Sequence, residues 1–296
     1  MQRVITYTIL PEEDGRLVLD ILRGRLGLSA TLVKKVKYRE RGILCDGCPI
    51  RTDQRVRAGA QLSVCVEEKQ ACSAQIVPAR GTPDIVYEDE DLLIVNKPAD
   101  MVVHPSPGHH ADSLGNILLW HYLQRGETMV FHPVHRLDRG TSGLMVVAKH
   151  AHAQALLTKQ MHTGAFSRRY RAIVCGPMPL GRGTICAPIA RVPDQVLLRR
   201  VDAQGARAVT HYRVCQCTER QSLLDLQLQT GRTHQIRVHM AYLGHPLLGD
   251  FLYGKEEACI HRPALHAMEL TLVQPLTHKR LTFAAPLPAD MQRCLE

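Results

Sequence analysis

Apolar positions recur along this chain at two different periods, and the changes of period mark out its elements. Leu17, Leu19, Ile21, Leu22 and Leu26 cluster at near-helical spacing and stop at Gly27. Ser29 stands where it can cap a second helix running toward Tyr38. Short strands are predicted at 42–45 and 61–66, beside the turn pairs Asp46-Gly47 and Ala58-Gly59. Residues 92–95 and 144–148 are brief unbroken apolar runs, the pattern of buried strands. Leu224, Leu226 and Leu228 alternate with Asp225, Gln227 and Gln229, which predicts a half-buried strand. Leu114, Ile117, Leu118 and Tyr122 predict a helix capped near Asp112 or Ser113, and residues 151–161 predict another. Ile236, Met240 and Leu243 predict a third, ended by Gly244 and Pro246.

These elements divide the chain into a small α/β unit at 1–70, a linker at 71–83 and a larger α+β domain at 84–296. The 296 residues suit such a division. No run of 18 apolar residues indicates a membrane span, and the N-terminus does not read as a signal peptide, so a cytoplasmic protein is expected. A monomer is the expected state. The formal net charge of +9 favours polyanions such as RNA, DNA or an anionic membrane surface, because neutralising phosphates releases counterions. Aromatics at 4% argue against a broad base-stacking platform. The second helix carries Lys34, Lys35 and Lys37, followed by Arg39 and Arg41, against Glu40 alone. That run fits RNA contact or an ordinary solvated face. Ten cysteines at irregular spacing read as reduced thiols. Cys45 and Cys48 lack a second well-spaced ligand pair, and His132 and His135 lack an acidic partner, so no metal site is read.

Candidate chemistry concentrates at His135-Arg136-Leu137-Asp138-Arg139-Gly140-Thr141-Ser142-Gly143, which runs into the apolar stretch ending at Ala148-Lys149. Taken alone, this loop fits two readings. Asp138, Thr141 and Ser142 can hydrogen-bond the backbone of a turn. Alternatively, Asp138 is a carboxylate held ionised by the arginines on either side. No Gly-rich phosphate loop or dinucleotide fingerprint is present, so no cofactor is expected.

The wording of the loop closely resembles the active-site motif of the RluA family of pseudouridine synthases. Three further segments, in the same order as in that family, extend the resemblance over nearly all of 84–296. They are Ile85 to Pro98 with Met101-Val102-Val103-His104-Pro105, then Arg168-Arg169-Tyr170-Arg171, then Thr230 to His239 with Gly244-His245-Pro246 and Gly249-Asp250. The basic second helix and its short strands resemble the S4 RNA-binding domain, over about residues 13–66. That match lacks the usual Asp after Arg16-Leu17 and the usual Arg after Ser29.

The resemblance implies an α+β catalytic domain with a central mixed, largely antiparallel sheet, preceded by a small α/β S4-like domain. It implies that Asp138 is the catalytic aspartate, Tyr170 the active-site tyrosine and Arg237 the arginine that pairs with Asp138. Arg136 matches the arginine that helps flip the target nucleoside out of its stack. Arg139, Thr141, Lys34, Lys35 and Lys37 are expected to contact RNA, and Lys97 reads as solvated. The implied substrate is uridine in structured RNA, with large-subunit ribosomal RNA ahead of transfer RNA. The rivals are a non-catalytic RNA-binding assembly factor on the same fold and, without its cofactor loop, an RNA methyltransferase.

Overall fold

The computed structural model describes residues 3–66, 76–195 and 197–296. Part of the expected linker, 71–75, and the preceding residues 67–70 lie outside them. The first sheet is antiparallel, with order β1-β4-β2-β3, built from β1 (Val4–Thr8), β2 (Ile43–Cys45), β3 (Cys48–Pro49) and β4 (Gln61–Cys65). Against it pack α1 (Val18–Asp20), which runs on as a π-helical turn at Ile21–Arg25, and α2 (Ala30–Lys37). Ser29 Oγ accepts a hydrogen bond from Leu32 N–H at 3.2 Å and satisfies one orphan donor of α2. Leu32, Val33 and Val36 face the small core, and Lys34, Lys35 and Lys37 are exposed.

The second sheet begins with β5 (Ile85–Glu88), β6 (Leu92–Lys97), β7 (His132–Pro133), β8 (Ser142–Ala148), β9 (Ser167–Cys175) and β10 (Gly181–Cys186). A separate ribbon follows, β11 (Ile189–Arg191) with β12 (Arg199–Val201). The sheet is completed by β13 (Val209–Cys217), β14 (Gln221–Leu228), β15 (Leu265–Val273) and β16 (Arg280–Ala284). Its order is β10-β13-β14-β9-β15-β8-β6-β5, with β7 on β8 and β16 on β15. Among the described residues only the β8–β15 contact is parallel, so the sheet is mixed and largely antiparallel, as expected. The flanking helices are α3 (Leu114–Gln124), α4 (Ala151–Gln160), α5 (Gln235–Tyr242) and α6 (Ala289–Arg293). Among the described residues, no helix is long and apolar enough to cross a membrane.

Strand β8 explains its own composition. Met145 and Val147 enter one core with Leu93, Val95, Leu118, Tyr170 and Leu226. Leu144, Val146 and Ala148 enter another with Ala153 and Leu157 of α4. A strand covered on both faces reads as a continuous apolar run rather than an alternation. At its start, Gly143 pairs with Ala267 and has φ 112°. A β-carbon there would lie 2.3 Å from the Ala267 carbonyl oxygen, so only glycine lets the two backbones meet.

The N-terminal unit is tied to the larger sheet through buried Asp91. Arg3 donates to its carboxylate from Nε at 2.7 Å and from Nη2 at 3.2 Å. Gln274 Nε2 donates to it at 2.7 Å. His150 accepts the Ala153 N–H on Nδ1, so its Nε2–H is the atom that faces Asp91 at 3.1 Å. Burial alone would raise the Asp91 pKa, but the bonds from His150, Arg3 and Gln274 overcome it and hold the carboxyl well below its ordinary range. A depressed carboxylate stabilises the fold above the unfolded value of about 4 and loses that contribution as pH falls toward the folded value. Asp91→Asn is therefore expected to lower folding stability at pH 7 by about 1.5–3 kcal/mol and to flatten its acid dependence. Urea denaturation from neutral pH down through the carboxylate range tests this; parallel curves for the two proteins would contradict it.

Candidate active site

A cavity of about 500 Å³ opens where β9, α5 and the loop before β8 converge. Asp138, Tyr170, Arg237, Arg136, Arg139 and Thr141 all line it. Lys34, Lys35 and Lys37 do not; they lie on α2 in the other unit. Arg136 and Arg139 are exposed at the mouth, and Arg139 Nε stands 4.0 Å from Asp100 Oδ1. Thr141 is buried, and its N–H closes the turn onto the Asp138 carbonyl at 3.0 Å. Among the described residues, no group of three His, Cys, Asp or Glu side chains converges as a metal site.

The Asp138 side chain is 29% exposed and accepts no hydrogen bond from a described residue. The imidazole of His234 stands beside it, with Nε2 4.0 Å from Oδ2. His234 caps α5 in the left-handed region, with φ 57°. Its Nδ1 lies 2.9 Å from the Tyr253 hydroxyl, which also accepts the Arg199 N–H at 3.0 Å. The hydroxyl proton is thus left for Nδ1, which puts the ring proton on Nε2, facing Asp138. Burial lowers the His234 pKa, so the neutral tautomer prevails at pH 7.

Arg237 departs from the expected direct pair with Asp138. Its Nε and Nη2 each donate to the buried Asp250 carboxylate at 2.7 Å, a bidentate fork. Asp250 also accepts from the N–H groups of Leu252 and Tyr253. Burial opposes the Arg237 charge, and Asp250 with Asp138 more than restores it, leaving the pKa raised. Asp138 therefore receives the field of Arg237 without a hydrogen bond from it. Gln235 holds the preceding loop: its Oε1 accepts from Thr230 Oγ1 at 2.8 Å and Arg232 N–H at 2.9 Å. Tyr170 reaches the cavity from β9 and is buried. Burial raises its pKa and the Asp138 charge adds to this, against the opposing Arg168, so the phenol enters protonated.

Read apart from the resemblance, Lys97 would be a solvated residue at a proline turn; it is 1% exposed. Its ammonium donates to the carbonyls of Pro98 at 2.7 Å, Met101 at 2.9 Å and Arg139 at 3.2 Å. Three donors meet three acceptors, and the last belongs to the residue after Asp138. Arg262 Nη1 donates to the next carbonyl, Gly140, at 3.1 Å, while Asp290 neutralises its other edge. Burial pushes Lys97 down to about 7, against the pull of the Asp138 charge. Asp250 and His234 were quoted within motifs but given no role, since a buried pairing 13 residues apart leaves no periodic trace.

The comparisons with known proteins agree with this geometry. Residues 91–242 match the RNA pseudouridylate synthase family. The chain is 41% identical to the uncharacterized RNA pseudouridine synthase YjbO of Bacillus subtilis, over 92% of this chain and 96% of that protein. It is 45% identical to the ribosomal large subunit pseudouridine synthase D of Vibrio cholerae, over 76% of this chain and 72% of that one. The solved structure of human RNA pseudouridylate synthase domain containing 1 superposes with a TM-score of 0.58 at 27% identity, covering 69% of this chain and 83% of that one.

Because Lys97 fixes the Asp138 loop by its carbonyls, Lys97→Met is expected to lower kcat by about 10²-fold, with a smaller effect on RNA affinity. As pH rises from about 7 toward the unfolded lysine value near 10.4, the folded protein sheds this proton first. Its burial penalty is then relieved while the clasp loses one donor. Wild type is thus expected to gain stability relative to Lys97→Met over that range while losing turnover. A kcat for Lys97→Met equal to wild type would refute the positioning role.

Proposed function

The chain belongs to the RNA pseudouridylate synthase family, and on that premise we propose that it converts uridine to pseudouridine in large-subunit ribosomal RNA with Asp138 as the catalytic carboxylate. The isomerisation breaks the N1–C1′ glycosidic bond, turns the uracil and joins C5 to C1′. It needs no redox step and no added group. One observation carries the reading: Asp138, Tyr170, His234 and Arg237 share a single cavity. The relatives named for the large ribosomal subunit support the choice of RNA.

Each group has a place in the chemistry. Exposed Arg136 and Arg139 at the mouth meet phosphates and assist extrusion of the base, which costs a few kcal/mol in unstacking. Asp138, with both oxygens uncommitted, faces the ribose. From there it attacks C1′ as glycosidase carboxylates do, or removes the C2′ proton to give a glycal. Arg237, with the N–H of neutral His234, favours the charged carboxylate during either step. Tyr170 packs against the base and supplies the hydroxyl nearest to it. The exposed lysines Lys34, Lys35 and Lys37 on α2 form a second basic surface, proposed to hold RNA in the manner of an S4 domain.

Asp138→Asn is expected to reduce turnover by about 10⁴-fold or more while leaving RNA affinity within a few-fold. Carbodiimide mapping of total RNA from a deletion strain, its complemented form and the Asp138→Asn form identifies the substrate. Sites absent in the first and third and present in the second are the targets. A deletion strain that keeps every ribosomal pseudouridine would sink the ribosomal assignment. Deuterium at C2′ separates the two routes, since only glycal formation breaks that bond and gives a primary isotope effect.

A further inference from the structure

The cavity contains one buried cation that has no carboxylate partner among the described residues. Arg168, on β9, is 9% exposed and lines the same cavity as Asp138 and Tyr170. Its guanidinium lies beside the Tyr170 phenol, and its charge lowers that phenol's pKa against the effect of burial. It sits 5.9 Å from the centre of the Phe166 ring. It packs so closely on Gly231 that a β-carbon there would meet Nη2 at 3.3 Å. His135 is the buried titratable ring in its field, and burial and the Arg168 charge keep that ring neutral. No carboxylate stands within ion-pair distance of Arg168 among the described residues.

The other cations of the site are accounted for. Arg237 is neutralised by Asp250. Arg136, Arg139 and Arg232 are exposed, where solvent and RNA phosphates reach them. A buried guanidinium without a carboxylate partner is expensive unless its ligand brings charge. A phosphate is a poor match for so enclosed a position, because the backbone of a flipped nucleotide stays near the mouth. The base itself goes deep. It arrives neutral and turns anionic in the reaction.

We propose that Arg168 is a catalytic residue that holds the departing uracil anion through its carbonyl oxygens. This rests on the pseudouridine synthase reading above. When the N1–C1′ bond breaks, its electron pair stays with the base and spreads over N1 and the two carbonyl oxygens. C1′ is left bonded to Asp138, or its sugar becomes a glycal with the C2′ proton on Asp138. The anion then attacks C1′ through C5, displacing the Asp138 carboxylate or, on the glycal route, with Asp138 returning its proton to C2′, and loss of the C5 proton with protonation of N1 completes an isomer of the starting nucleoside. Arg168 is oriented toward the cavity before the charge exists, so its contribution appears in the transition state rather than in binding. Tyr170, sharing that guanidinium, is held against the same edge of the base.

The test uses full-length protein and large-subunit ribosomal RNA transcripts, with nucleosides quantified by mass spectrometry after digestion. Arg168→Met is expected to lower kcat by about 10²–10³-fold with KM within about threefold of wild type. Arg168→Lys keeps the charge and is expected to recover to within about tenfold of wild type. The discriminating substrate is a transcript carrying 5-fluorouridine, whose base leaves as a more stable anion. Its rearrangement, read as loss of 5-fluorouridine, is expected to show a deficit for Arg168→Met of about tenfold or less. Equal deficits on both transcripts would overturn the inference, as would a defect confined to KM, which would mark Arg168 as a phosphate contact. If Arg168→Met does not fold, Arg168→Gln carries the same comparison, with thermal melting as the check. A wild-type enzyme that converts no uridine removes the parent reading and this inference together. An active wild type with an indifferent Arg168 removes the inference alone.

Discussion

The Asp138 loop is held by its backbone rather than by its side chains. Lys97 takes the carbonyl of Arg139 and Arg262 takes that of Gly140, both from beneath and both as buried cations. Three residues on, Gly143 is pressed against Ala267 so closely that no other residue fits. On the proposed reading Asp138 must meet a ribose within a few tenths of an ångström, and a carboxylate in that role cannot depend on its own hydrogen bonds, because those would occupy the oxygens it needs. Fixing the peptide and freeing the acid resolves the conflict. It also explains why Asp138 has neighbours that act on it through their fields, with none bonded to it.

Four buried cations surround this centre, each with a different kind of partner. Lys97 has carbonyls, Arg237 has one carboxylate, Arg262 has both, and Arg168 has a phenol. Buried charge of this density is tolerable only where each guanidinium or ammonium is matched in number and direction. The matched three build the scaffold of the site. The unmatched one faces the cavity, where the proposed reaction puts the base.

Much of this architecture was readable from residue order. The apolar runs at 92–95 and 144–148, the alternation at 224–228 and the cap at Ser29 each report a local rule, and each appears in the folded chain. Strand β1 escaped notice because its partner β4 lies more than fifty positions away, and β3 and β7 because two residues are too few to show a period. The π-helical turn at Ile21–Arg25 replaces part of an expected regular helix, a distortion that spacing does not announce. In the site, the motif residues lining the cavity could be named in advance. Their pairings could not, since Arg237 with Asp250 and Lys97 with three carbonyls follow from tertiary placement. Lys97 looked solvated because a lysine beside a proline usually is.

The single parallel contact in the large sheet joins Ser142 and Gly143 to His266 and Ala267. The loop's second support, Arg262, is itself steadied by Asp290 on the last helix. The centre thus closes only when segments more than a hundred positions apart have met. During synthesis, Asp138 leaves the exit tunnel long before the strand and helix that lock it, so a nascent or truncated polypeptide carries every motif in an unarmed form. Competence for chemistry arrives only once β15 and α6 have been made and have docked, and a chain interrupted before them has no means of breaking glycosidic bonds in the RNA around it.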